Sequence, residues 1–509
     1  MIGVGAFWSM DCDMTIILDT IGQSVAVATR VEGAPAYRIT ATGITLTNTD
    51  RGRIFGTAAN QPAISLEAGG GTIVNEVGGI IRAFDPLAFT ANIAINGSSG
   101  ADVIENAGLI GGRVLLGAGA DRFVHRQLDN SHVFLEVDLG SDDDRFVLTA
   151  SGAPVSFSSS IAGGAGIDTL EISGNINFID FSLISGFERI EVGLQSANFT
   201  GMSGFSTIIL PSEVGFSSFA FNRAVNPLAD LFLDGNRVTA GPGSVFRNIF
   251  GGARADQFEL FSSSFGMSSL LGAADLGAGD DEFWLTRFEA SSSLPTVGGL
   301  VDGGAGDDMI MLSSPGGHTV DLAGFVNFER FNGGTFSSAT SVVRLRNLNN
   351  FVEVIGDNEG VLTLADSNSP LAAVSVGSRG RLVLEATATI GRYGFPTSPG
   401  FVTDFDQQQQ GNDLQSVSVV NNGTILGGVQ LFYGDDLYDG RLGSTGGPIF
   451  GYAGNDTLYG GAGNDRINGG FGGDDLFGGA GADTLVGGGG TDIIDGGPGR
   501  DVAVFAGAR

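Results

Sequence analysis

The chain of 509 residues contains no lysine; all 25 of its basic residues are arginine. That removes Schiff-base chemistry and the phosphate-gripping lysine of a P-loop. A single cysteine, Cys12, excludes an internal disulfide framework. Only three histidines occur, His125, His132 and His318, and neither H-E-x-x-H nor G-x-S-x-G is found. Zinc-protease and nucleophile-elbow hydrolase chemistry therefore lack their residues. Helix formers are scarce: Glu supplies 16 of the 56 acidic residues and Met only 7 positions, while 85 are Gly, which argues against a mainly helical protein. No apolar run approaches the roughly 18 residues of a membrane helix; Phe205–Leu210 is typical of the short ones present. Met1–Met10 has no cationic start and meets Asp11 and Asp13 almost at once, so no N-terminal secretory signal peptide is expected. A formal charge of −31 makes nucleic-acid backbones and anionic membranes poor partners.

What is present is repetition. From Gly451 the sequence falls into six consecutive nine-residue units, beginning at Gly451, Gly460, Gly469, Gly478, Gly487 and Gly496 and closing at Val504. The sixth position is always aspartate: Asp456, Asp465, Asp474, Asp483, Asp492 and Asp501. The eighth is apolar: Leu458, Ile467, Leu476, Leu485, Ile494 and Ala503. Composition alone would not hold two residue types nine apart, so a flexible Gly/Asp-rich tail is disfavoured. Paired glycines let carbonyl oxygens turn inward, and aspartate adds a hard anionic oxygen suited to calcium.

The pattern resembles the repeats-in-toxin (RTX, hemolysin-type) calcium-binding nonapeptide, G-G-x-G-x-D-x-U-x. The resemblance implies a β-roll with two nonads per coil and calcium between turns two nonads apart. Four sites would follow, pairing Asp456 with Asp474, Asp465 with Asp483, Asp474 with Asp492, and Asp483 with Asp501. It also implies export by a type I route, which needs no N-terminal signal, and folding outside the cell where calcium is plentiful.

Weaker copies run upstream. Units beginning at Gly97, Leu116, Leu139, Gly163, Gly251, Leu276 and Gly303 keep aspartate at position six, as Asp102, Asp121, Asp144, Asp168, Asp256, Asp281 and Asp308. Asp436 completes the set of weaker candidate calcium ligands. Asp142 and Arg254 replace the fourth-position glycine in two copies, where ion binding is less expected. The wider spacing of these copies suits one nonad-like turn per coil of a larger β-helix. The blocks Asp138–Gly193 and Asp275–Gly334 are duplicates, each carrying a Phe-Glu-Arg step, Phe187-Glu188-Arg189 and Phe328-Glu329-Arg330. A further echo aligns Asn106–Phe123 with Asn421–Tyr438 in period-two alternation, the strand signature.

The expected fold is all-β, a right-handed parallel β-helix/β-roll solenoid. Its expected divisions are an N-terminal β-helix-like region 1–95, degenerate modules 96–200 and 201–334, irregular rungs and a linker 335–430, and the β-roll 431–509. Tyr393–Gln410, with Pro396, Pro399 and a glutamine run, reads as a loop or linker. His125 and His132, near Asp121 and Asp129, read as a solvated loop rather than an acid–base site. The functional expectation is a secreted, extracellular, multi-site calcium-binding protein, more readily a noncatalytic surface, matrix or adhesive protein than an enzyme. Its expected partners are calcium ions, a polysaccharide or cell-surface glycan, and a second copy meeting the C-terminal end. Two alternatives stand beside it: a polysaccharide lyase or epimerase built on the β-helix, and a fragment of a larger toxin or adhesin.

Overall fold

The structure, a computed structural model, describes residues 15–505 apart from 59–60, 68, 84–91, 128–135, 152–154, 157–158, 177, 195, 203, 211–216, 223–228, 289–292, 315–317, 334–341, 348–350, 352, 357–360, 370–372, 377–379, 392–398 and 403–415. Among the described residues every regular element is a strand and none is a helix, so none could cross a membrane as a helix. Two compact units divide the chain, Met1–Phe250 and Gly251–Arg509. Apart from one short antiparallel contact, Ser262↔Met267, strands in each unit pair in parallel with the strand one coil later. That connectivity is a parallel β-helix.

In the first unit one sheet runs from Ser24–Val27 through Thr45–Asn48, Thr72–Asn75, Val103–Asn106, Arg122–Gln127, Arg145–Ser151 and Thr169–Asn175 to Asn248–Phe250. Alternation along each strand sends one set of side chains inward. Parallel register then stacks like positions: Leu46, Ile73, Ile104, Phe123, Phe146, Leu170 and Ile190 form one buried column. The rings of Phe123 and Phe146 lie 5.3 Å apart and nearly parallel. Each large inward side chain contributes about 1.5–3 kcal/mol by leaving water, and each depends on the coils above and below for cover.

In the second unit the coil changes section. A short third sheet, Asn368–Ser369, Thr389–Ile390, Thr424–Ile425 and Ser444–Thr445, ends at that last strand. Downstream each coil keeps two strands, and the register settles at 18 residues, with Ile449↔Ile467, Thr457↔Asp475, Arg466↔Thr484, Asp475↔Ile493 and Thr484↔Val502. This is the two-nonad coil read from the sequence. The eighth-position side chains Leu458, Ile467, Leu476 and Leu485 are buried, as their spacing requires. Tyr438 is fully buried where the section changes, its hydroxyl meeting Asn421 Nδ2 at 3.1 Å and Thr445 Oγ1. The linker read at Tyr393–Gln410 lies outside the described residues, except for the strand Pro399–Val402.

Candidate metal centre

Every sixth-position aspartate lies on a ladder that runs from coil to coil. The backbone N–H of one aspartate donates to Oδ1 of the aspartate one coil later. In the C-terminal repeats Asp436 donates to Asp456 (2.9 Å), Asp456 to Asp474 (2.9 Å) and Asp474 to Asp492 (3.1 Å). On the opposite side Asp465 donates to Asp483 (2.8 Å) and Asp483 to Asp501 (3.1 Å). The pairs are those that the 18-residue spacing implies, and Asp436 extends the first ladder upstream by one coil.

The weaker copies form ladders of the same kind. Asp102 donates to Asp121 (2.7 Å), Asp121 to Asp144 (2.7 Å) and Asp144 to Asp168 (2.8 Å). In the second unit Asp256 donates to Asp281 (2.7 Å) and Asp281 to Asp308 (2.8 Å). Asp142, at the fourth position, adopts a left-handed conformation (φ 85°), as the glycines at that position, Gly119 (109°) and Gly279 (130°), also do, and its Oδ2 accepts the Gly119 N–H at 2.9 Å.

One carboxylate oxygen is thus used by each ladder bond. The other, Oδ2, is buried without a hydrogen-bond partner at Asp121, Asp144, Asp168, Asp281, Asp308, Asp436, Asp456, Asp465, Asp474 and Asp483. A buried, unsatisfied anionic oxygen is costly, and repeating that cost coil after coil calls for a cation. Asp102 and Asp256 differ, because their Oδ2 atoms accept the N–H groups of Ser98 (2.7 Å) and Gly252 (3.3 Å).

The glycines explain where an ion's other ligands would come from. A β-carbon at Gly451 would collide with Oδ2 of Asp456 and with the carbonyl oxygen of Gly469; at Gly460 it would meet Asp465 and the Gly478 carbonyl, and at Gly478 Asp483 and the Gly496 carbonyl. Carboxylate and carbonyl oxygens therefore converge on space that only glycine leaves open. The convergence recurs at Gly163, with Asp168 and the Gly186 carbonyl, and at Gly303, with Asp308 and the Asn327 carbonyl. Among the described residues no three Asp, Glu, His or Cys side chains gather into a ready-made metal cage. Mixed carbonyl and carboxylate donation is what calcium accepts, with six to eight oxygens in a tolerant geometry. The donor set fits it.

Burial governs the charge state of these groups. It lifts Asp436 to about 8, Asp456 to about 7 and Asp465 to about 6, with the next carboxylate on each ladder adding repulsion. Asp121, Asp144 and Asp281 rise to about 7 and Asp308 to about 6 for the same first reason. Asp102, Asp168 and Asp474 are raised as well, again chiefly by burial.

Two features were not anticipated. Glu188 and Glu329, of the duplicated Phe-Glu-Arg steps, end their ladders: Oε2 accepts the N–H of Asp168 and of Asp308, each at 2.9 Å. The second is an amide ladder, in which Asn48 Nδ2 donates to Asn75 (2.7 Å), Asn75 Nδ2 to Asn106 (2.7 Å), and Asn106 Nδ2 meets His125 Nδ1 at 3.2 Å. This corrects the solvated-loop reading of His125. The residue sits on the strand Arg122–Gln127, its side chain is buried, and burial lowers it to about 4. His132 lies outside the described residues.

The family model for the RTX calcium-binding nonapeptide repeat (4 copies) matches residues 448–476 and 469–503. Calcium is the ion that these repeats bind. No curated protein matches the chain.

Proposed function

We propose that the chain is a secreted solenoid of surface, matrix or adhesive type, clamped by calcium along its carboxylate ladders rather than at the matched repeats alone. The observation that carries this reading is the run of buried Oδ2 atoms without partners, recurring from coil to coil in segments beyond the family match as well as within it. Asp456, Asp465, Asp474 and Asp483, with Asp492 and Asp501, would hold ions in the repeats. Asp121, Asp144, Asp168, Asp281, Asp308 and Asp436 would do so upstream, while Asp102 and Asp256 head their ladders with Oδ2 already engaged. The divisions 96–200 and 431–509 each enclose complete ladders, which supports them as modules, whereas the boundary between the two compact units, Phe250/Gly251, falls inside 201–334. A bound calcium would supply the positive charge that offsets repulsion between stacked carboxylates.

Extracellular folding suits this chemistry, because ligand-free carboxylates repel one another until the ion arrives. Equilibrium dialysis of the full chain tests the site count. More ions bound than the four of the matched repeats supports the reading, and loss of the excess in the double variant Asp144→Ala/Asp281→Ala would locate it upstream. Four or fewer would confine the ions to the repeats. Incubation with acidic and neutral polysaccharides, with and without calcium, tests the noncatalytic part: release of unsaturated or reducing ends would favour the lyase or epimerase alternative.

A further inference from the structure

The second nonad position is glycine with positive φ at Gly470 (114°), Gly479 (100°), Gly488 (109°) and Gly497 (79°). In two successive coils it is aromatic instead. Phe432 and Tyr452 both hold φ of 73°, a conformation that L-residues with side chains rarely adopt. Tyr452 pairs in register with Gly470, and Tyr433 bridges to Ala453, so Phe432, Tyr452 and Gly470 occupy one column. These rings point away from the core, so interior packing does not account for the strained backbone. Such outliers concentrate at functional sites.

The rings build a surface. Phe432 and Tyr452 stack 5.1 Å apart with planes 6° from parallel, and Phe450 leans on Tyr452 at 5.5 Å and 37°. Tyr433 and Phe471 stand beside them, 61% and 76% exposed, and Asn468 borders the same cleft of about 370 Å³. That size lies within the roughly 300–1,000 Å³ of small-ligand sites. Among the described residues no charged side chain lines it. In a chain of net charge −31, an anionic polymer would be repelled by the surroundings and a cationic one would find no counter-charge in the cleft. A second copy would bring the same net charge. A flat aromatic floor edged by an amide and phenol hydroxyls matches a ring with one apolar face and a rim of neutral hydroxyls.

We propose that the cleft formed by Phe432, Phe450, Tyr452 and Phe471 is a binding platform for the pyranose units of a neutral glycan. The proposal rests on the adhesive reading above and gives it a ligand class and a site. The calcium ladders lie inside the coil and the platform outside it, so the two can be tested apart.

The test is calorimetric titration of the full chain in millimolar calcium with four neutral hexasaccharides: cellohexaose, laminarihexaose, maltohexaose and hexa-N-acetylchitohexaose. At least one is expected to bind with a millimolar or tighter dissociation constant. Tyr452→Gly restores the residue used elsewhere in the column and relieves the strained backbone, and Phe471→Ala removes one wall. Each is expected to weaken binding about tenfold or more, with calcium stoichiometry and circular dichroism unchanged. Absence of binding by all four sugars at about 10 mM overturns the proposal. So does unchanged affinity in both variants, or a wild-type dimer that Phe471→Ala dissolves. Reducing ends released in the same mixtures would sink the adhesive reading while leaving the platform's affinity measurable, so the two failures are distinguishable.

Discussion

The backbone N–H of Asp308 donates to the carboxylate of Glu329 at 2.9 Å, in the place where every earlier rung of its ladder has an aspartate. Asp168 and Glu188 repeat the arrangement in the other unit. Glutamate is one methylene longer, so its head reaches the ladder line from a coil that has no nonad turn.

Glu188→Ala and Glu329→Ala each strand a sheltered N–H, and should cost about 1–3 kcal/mol of stability. A surface carboxylate engaged only in ion pairs would cost well under 1 kcal/mol. Urea unfolding of the calcium-loaded chain separates the two values.

Within the repeats Asp474 and Asp483 each belong to two coil-to-coil pairs, whereas Asp501 belongs to one. Asp474→Ala should therefore lose about two calcium ions and flatten the titration, and Asp501→Ala about one. Equal losses in matched calorimetry would mean that the sites are isolated.

Acidity should act on the calcium-free chain in the direction opposite to that of ordinary paired carboxylates. Asp436, Asp456, Asp121, Asp144 and Asp281 hold their protons up to about 7 or 8 when folded, against the ordinary 3.8 of an aspartate. The folded state then binds more protons than the unfolded one between those limits, so stability is full near pH 4 and falls as pH rises through 7. Calcium displaces those protons, and its apparent affinity should climb across the same window. Melting midpoints at about pH 4.5 and 8, with chelator and with calcium, check both signs; a chelated midpoint that rises with pH refutes the scheme.

His125 offers a separate probe. Its Nδ1 faces the Asn106 amide, and burial holds it neutral to about pH 4. Nitrogen-detected NMR should therefore find a neutral ring at about pH 5.5. His125→Asn should extend the amide ladder at little cost, while His125→Ala should lose about 1–3 kcal/mol by leaving the Asn106 amide without its partner. A ring already charged at pH 5.5 would mean that solvent reaches the site.

The coil length and the inward face of the repeats were legible in the sequence because both follow from a strict local period: Leu458, Leu476 and Asp456, Asp474 recur at 18 without interruption. The amide ladder was not, since Asn48, Asn75, Asn106 and His125 are separated by 27, 31 and 19 residues and the last is a different residue type. The ladder ends escaped for a related reason. Glu188 and Glu329 could be recognised as duplicated, but a template that expects aspartate at the rung has no place for a longer acid. Phe432 and Tyr452 replace glycine at a known position, yet only the backbone angle reveals that the glycine conformation was kept.

The uniform register of the two-stranded coils makes length itself a quantity that can change without redesign. Removing residues 460–477 would bring Gly478 directly after Tyr459, and Asp456 would meet Asp492 where it now meets Asp474. Every inward residue would find an equivalent neighbour, because each coil touches only the next. Shortening or lengthening would proceed in steps of one strand spacing, about 4.8 Å. A solenoid built this way can vary how far it reaches while the chemistry of each coil stays the same.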